Sequence, residues 1–203
     1  MKICTLCPRM CTVDRKSGER GVCGQTEEIK VARAALHFWE EPCISGEKGS
    51  GAVFFSGCAL HCVFCQNENI ANGTAGKVIS TERLGEIFLE LQEKGANNIN
   101  LVTPGQFVPQ IIKAVELARN QNLKIPIVYN TSSYENVDTI CSLEGIVDIY
   151  LPDFKYWNAA LSAKYSHAPD YPSVAKKAIE EMVRQTGAAV FENGEDSLMK
   201  RGT

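Results

Sequence analysis

The sequence predicts an α/β protein organised around a parallel sheet, and three features predict it. From Ala52 onward, short apolar runs alternate with longer stretches of helical periodicity. Each run closes on a polar, turn-forming cluster. The length of 203 residues suits one main domain with a sizeable core and a small appendage. Strands that alternate with helices read as βαβ units, in which each crossover helix covers a parallel sheet.

Residues 1–50 read as a cysteine-rich, loop-like segment, because Gly18, Gly21, Gly24, Gly46 and Gly49 interrupt any long element. Residues 51–203 carry the pattern proper. Strand Ala52–Phe55 precedes helix Thr81–Lys94, and strand Asn98–Val102 precedes helix Phe107–Asn120. Strand Ile125–Tyr129 precedes helix Asn136–Leu143, and strand Ile146–Leu151 precedes helix Ser173–Gln185. Leu84, Ile87, Phe88 and Leu91 recur at helical spacing, as do Val108, Ile111, Ile112 and Val115. The last segment differs, since Ala188–Phe191 and Ser197–Met199 flank Asn193-Gly194 and predict a β-hairpin.

The four strand tips gather the reactive residues: Ser56-Gly57-Cys58, Thr103-Pro104-Gly105-Gln106, Asn130-Thr131-Ser132-Ser133 and Pro152-Asp153-Phe154-Lys155. Turns favour such residues for conformational reasons alone. Convergence of four tips beside a cysteine loop nevertheless points to a site, because ligands of α/β sheets and barrels bind at the carboxyl ends of the strands.

Composition narrows the function. A net charge of −3 gives no reason to expect nucleic acid or an anionic membrane as partner. The longest uncharged run, Gly95–Ile112, holds three asparagines and two prolines, and Met1-Lys2-Ile3-Cys4 is no signal region. Nine cysteines without a signal peptide argue for metal or redox sites in the reducing cytoplasm.

Cys58, Cys62 and Cys65 are spaced C-x3-C-x2-C on the loop that leaves the first strand. Three thiolates can hold a 4Fe-4S cluster and leave one iron without a protein ligand, an open position for a small molecule. The alternative is a structural zinc loop with His61 or Cys43 as fourth ligand. A second group, Cys4, Cys7, Cys11 and Cys23, has enough thiolates to close a tetrahedral site. We expect zinc there over a second iron-sulfur cluster, with four unliganded thiols as the remaining reading. Cys43 and Cys141 have no partner at motif spacing and read as buried small residues, and His37 and His167 as packing or capping groups.

The stretch Phe55-Ser56-Gly57-Cys58-Ala59-Leu60-His61-Cys62-Val63-Phe64-Cys65-Gln66-Asn67 resembles the cluster loop of radical S-adenosylmethionine (SAM) enzymes. The wider chain from Cys4 to Gly202, including Glu40-Glu41-Pro42-Cys43-Ile44-Ser45-Gly46 and Tyr165–Pro172, resembles an uncharacterised group related to pyruvate formate-lyase activating enzymes. The resemblance implies a partial (β/α) barrel, and the further strands of that family lie beyond Arg201-Gly202, so the core would be incomplete and truncated at its carboxyl terminus. It also implies reductive cleavage of SAM at the open iron, with a 5′-deoxyadenosyl radical that abstracts hydrogen from a protein or small-molecule substrate. By the same resemblance Phe64 contacts adenine, and Thr103, Gly105 and Gln106 occupy the segment that receives the SAM amino group, although the usual Gly-Gly-Glu is absent. Asn130, Thr131, Asp153 and Lys155 match positions near SAM and a monovalent cation. A reductant such as flavodoxin or ferredoxin and an anaerobic host are implied as well. The rival from another class is a non-enzymatic iron-sulfur or zinc carrier.

Overall fold

Runs rich in β-branched and aromatic residues become strands where the sequence places them, and the computed structural model describes residues 3–192 and 197–203. The strands are β1 (Ile29–His37), β2 (Ser50–Phe55), β3 (Lys77–Ile79), β4 (Ile99–Val102), β5 (Ile127–Thr131) and β6 (Ile149–Pro152). They form one sheet in the order β3-β1-β2-β4-β5-β6. β2, β4, β5 and β6 are mutually parallel, and β1 is antiparallel to both β2 and β3.

The helices are α1 (Pro42–Ser45), α2 (Glu68–Ala71), α3 (Thr81–Glu93), α4 (Val108–Asn120), α5 (Val137–Cys141), α6 (Ala159–Ser166) and α7 (Tyr171–Thr186). Their starts follow local chemistry. Ser80 Oγ accepts from the Arg83 amide to cap α3, Asn158 caps α6, and prolines occupy the first turns of α4 and α7, where no amide partner is lost. The expected apolar stripes of α3 and α4 pack with Val53, Phe55, Ile99, Leu101, Ile127, Tyr129 and Tyr150 in the main core.

Because side chains alternate along a strand, the other face of the sheet carries a different row: Ala52, Asn100, Val128 and Ile149 lie side by side in register. Ile44 of α1 covers Val128 and Ile149 there. The four parallel strands and their helices are those the sequence pattern located.

Five elements differ from expectation, among them the short helices α1 and α2. The segment read as loop-like supplies β1, which is tied to β2 from Val31 to His37. β3 and α6 were also absent from the sequence reading. The terminal pair β7 (Val190–Phe191) and β8 (Met199–Arg201) is antiparallel as expected, while the Asn193-Gly194 turn lies outside the described residues. Gly202 then makes an isolated parallel bridge to Ile149.

Candidate functional site

The cysteine loop begins where β2 ends. Gly57, at φ +87°, turns the chain out of the sheet, and a methyl group there would run into the carbonyl oxygen of Cys23. Cys58 is held by this turn, and the Leu60 amide donates to its sulfur at 3.4 Å. Burial, opposed by these backbone amides, raises the Cys58 thiol above its ordinary pKa, and the nearby Cys62 and Cys65 raise it further. Thiols close enough to sense one another, with amides aimed at sulfur, match the donor set of a thiolate-ligated cluster. His61 Nε2 lies 2.8 Å from the Val22 carbonyl oxygen, a contact that fixes the ring and leaves Nδ1 free. Cys43 packs on α1 against the Val128 and Ile149 group of the sheet.

The second cysteine group lies against the first. Cys4, Cys7, Cys11 and Cys23 line a single cavity with Arg15 and Gln106. Cys7 and Cys23 also line the adjoining cavity with Cys58, Thr103, Gly105, Gln106, Thr131 and Glu135. Among the described residues, no three or more His, Cys, Asp or Glu side chains form a preformed metal cage, and this holds for both cysteine groups. Burial pushes the unliganded Cys7 thiol up to about 12 and raises Cys23 as well.

Two arginines that the sequence reading missed bind the amino-terminal segment to the site. Arg9 donates to the carbonyls of Ala59 (2.8 Å) and Leu60 (3.5 Å) in the cysteine loop, and to Ser166 (2.7 Å) and His167 (2.5 Å) at the end of α6. Its guanidinium also lies 5.2 Å from the Tyr134 ring centroid. Buried Arg15 donates to the carbonyls of Gln25, Thr26 and Gln106, and its Nη1 lies 3.9 Å from Cys4 Sγ. Its hydrogen-bond partners are carbonyls and this sulfur, so its charge suits a neighbouring anionic thiolate group. Their only sequence signal was position, Arg9 between Cys7 and Cys11 and Arg15 shortly after Cys11.

The residues expected to contact SAM divide into two groups. Thr103, Gly105, Gln106 and Thr131 meet at the cavity beside Cys58. There the Gln106 side chain is already engaged, donating to the carbonyls of Ser56 (2.9 Å), Gly57 (3.1 Å) and Thr103 (2.9 Å). Gln106 thereby locks the β4 tip to the root of the cysteine loop. Thr131 donates to Glu135 at 2.7 Å.

Phe64, Asn130, Asp153 and Lys155 do not line this cavity. Phe64 is exposed, with its ring 6.0 Å from that of Tyr156, so it is not a core phenylalanine. Asp153 and Lys155 pair with each other at 2.5 Å. His167 ends α6 in a left-handed conformation, and His37 packs edge-on against Phe54, in keeping with capping and packing roles. Cys141, expected to be buried, is exposed.

Glu135 is the functional-site group that sequence reasoning overlooked. It is buried, accepts from Thr131 and from the Tyr129 hydroxyl (3.3 Å), and burial raises its carboxyl to a pKa of about 7. Gly105 makes room for it, since a methyl group at Gly105 would stand 2.7 Å from Glu135 Oε2. Thr103 and Ser133 both adopt left-handed backbone beside this cavity, at φ +55° and +62°. Strain gathered at two neighbouring tips is a mark of functional sites.

The chain is 30% identical over 183 residues to "Uncharacterized protein MJ0674" of Methanocaldococcus jannaschii, an alignment covering 87% of this chain and 52% of that protein. The chain thus spans about half the length of the curated relative it matches. No solved structure matches it. Residues 52–187, from the strand that launches the cysteine loop to the end of α7, match the Radical SAM superfamily, and the chain belongs to that superfamily.

Proposed function

We propose that the chain is a radical SAM enzyme of the activating-enzyme type, related to the activators of pyruvate formate-lyase. Membership of the superfamily implies a 4Fe-4S cluster and SAM. The observation that carries the reading is the C-x3-C-x2-C loop at the end of β2, seated beside the tips of β4 and β5. Cys58, Cys62 and Cys65 would hold the cluster. When bound, it supplies the electron that cleaves the sulfonium C–S bond of SAM, releasing methionine and a 5′-deoxyadenosyl radical that takes hydrogen from substrate.

The chain's own residues supply placement. Gln106 fixes the loop root, Gly105 and Glu135 shape the floor beside Cys58, and exposed Phe64 offers a face for an adenine ring. Lys155 and Asp153 satisfy each other, so we assign no cation to them. The parallel half of the sheet suits a part of a (β/α) barrel, with a protein glycine, another peptide or a small molecule as hydrogen donor and a flavodoxin or ferredoxin as electron source. All nine cysteines are free, in keeping with a reducing cytoplasmic setting, and among the described residues no helix is long and apolar enough to cross a membrane.

Cys4, Cys7, Cys11 and Cys23 would hold zinc in a closed structural site. Their shared cavity and the buried guanidinium of Arg15 support this. Elemental analysis of a Cys58→Ser/Cys62→Ser/Cys65→Ser variant is expected to give about one zinc per chain. Cys7→Ser added to that variant should release it, and iron or no metal in its place would remove the zinc assignment alone.

The enzymatic reading is tested by anaerobic reconstitution with iron and sulfide, followed by dithionite and SAM. The parent should form 5′-deoxyadenosine and Cys58→Ala should not. If Cys58→Ala binds as much labile iron and cleaves SAM as well as the parent, the assignment is wrong. A redox-active cluster indifferent to SAM would instead mark the chain as a carrier.

A further inference from the structure

Val22 stands between the two cysteine groups and serves both. Its amide donates to Cys11 Sγ at 3.3 Å, and its carbonyl oxygen lies 2.8 Å from His61 Nε2. A carbonyl has no proton to give, so Nε2 carries the N–H of this pair and, in the neutral ring, Nδ1 carries the lone pair. A ring N–H donated to a carbonyl is the usual companion of an imidazole that binds metal through its other nitrogen, because the contact fixes both tautomer and orientation.

The lone pair belongs to a residue placed among thiols. His61 directly precedes Cys62, and His61, Cys62, Cys65 and Glu68 line one cavity of about 140 Å³. That is roughly ten times the room one water needs. His61 holds left-handed backbone there, at φ +50°. Glycine would adopt this conformation without strain, yet the position keeps an imidazole. Glu68 is the other donor at hand, but its side chain is exposed and its hydrogen bond is to Asn72 Nδ2 at 3.5 Å, so it is not held toward the thiols. The remaining histidines lie elsewhere, His37 against Glu40 and Phe54 and His167 at the end of α6.

We propose that His61 Nδ1 is a reversible fourth ligand of the cluster held by Cys58, Cys62 and Cys65, occupying the open iron until SAM takes its place. This rests on the radical SAM reading and deepens it, since it assigns a resting state to the same site. The exchange breaks one Fe–N bond as donor atoms of SAM bind that iron. His61 leaves with its lone pair, and neither an electron nor a proton is transferred. Among the described residues no ligand set is preformed, which suits a donor that binds and lets go. Through Val22, the amino-terminal cysteine segment keeps the ring in its ligating tautomer.

The test uses the full chain grown with nitrogen-15 histidine, reconstituted anaerobically with iron and sulfide, reduced with dithionite and examined by pulsed electron paramagnetic resonance. Without SAM, a nitrogen strongly coupled to the cluster spin is expected, converted by the label from the nitrogen-14 to the nitrogen-15 pattern. SAM should abolish it. His61→Asn, which tolerates the left-handed backbone, should lack it from the start. Iron and sulfide content shows whether this variant holds its cluster; if it does not, His61→Gly replaces it, with the same loss expected. Absence of a histidine nitrogen in the parent overturns the proposal whatever the variants do, and is the result that follows if Glu68 or water holds the iron. A coupling that survives in the variant belongs to another histidine, and one that survives saturating SAM is not displaced; either overturns the proposal too. SAM cleavage is followed in the same samples. Normal 5′-deoxyadenosine formation without the histidine signal defeats only this inference, whereas a histidine signal that SAM removes without cleavage defeats only the enzymatic reading.

Discussion

Gly57 concentrates two demands in one residue, a left-handed backbone and a close approach to the Cys23 carbonyl. Gly57→Ala is expected to cost at least about 2 kcal/mol, because the strain of φ +87° adds to the collision. Chemical denaturation and iron bound after reconstitution should both report the loss. Glu135 makes a prediction of opposite character. Its carboxyl is raised by burial from 4.5 to about 7, so the folded chain keeps a proton that the unfolded chain releases. Its contribution to stability is therefore complete below about pH 4.5 and is lost as the pH rises to about 7. The full difference is on the order of 3 kcal/mol. Glu135→Gln removes that titration, and its stability relative to the parent should climb between about pH 4.5 and 7 in denaturation curves. A constant difference across that range would show that Glu135 does not titrate there.

At the scale of elements, β4 and the cysteine loop are joined by the Gln106 side chain. Replacing Gln106 with leucine leaves buried carbonyls of Ser56, Gly57 and Thr103 without their donor. A loss of about 2–3 kcal/mol is expected, with faster cluster loss in a chelator challenge and unchanged far-ultraviolet dichroism. The elements that were legible in the sequence are those whose physics is local. β2, β4, β5 and β6 are short apolar runs, and α3, α4 and α7 carry apolar stripes that need no distant partner to be recognised. β1 was hidden because Lys30 and Arg33 interrupt it, one stretch of it faces solvent, and glycines crowd both sides. β3 is three residues long, and α6 is a run of small and polar residues with no clear apolar face. The cysteine loop was legible because its spacing is its chemistry. Arg9, Arg15 and Glu135 were not, since their partners are carbonyls and hydroxyls that only the fold brings near.

At the scale of the whole molecule, the amino-terminal segment acts as a brace across the site. Its hold runs through Arg9 to Ala59, His61 to Val22 and Arg15 to Gln106. Stripping the proposed zinc with a chelator should therefore loosen the Cys58–Cys65 loop as well as residues 3–28. Hydrogen exchange is expected to rise in both peptides while the α3 and α4 peptides stay protected; exchange confined to residues 3–28 would show that the brace is not coupled to the loop. The brace also has a place in time. Leu6 is bound by Thr139, and Arg9 by Ser166 and His167, so these residues leave the ribosome more than a hundred residues before their partners. The β1–β2 pairing closes across the short connection between His37 and Ser50 and can form early, whereas the brace must wait for α6. During synthesis Cys4, Cys7, Cys11 and Cys23 thus emerge before the other five cysteines and long before the elements that hold their segment in place. Metal captured by them in that interval would hold the segment together until the rest of the chain arrives to receive it.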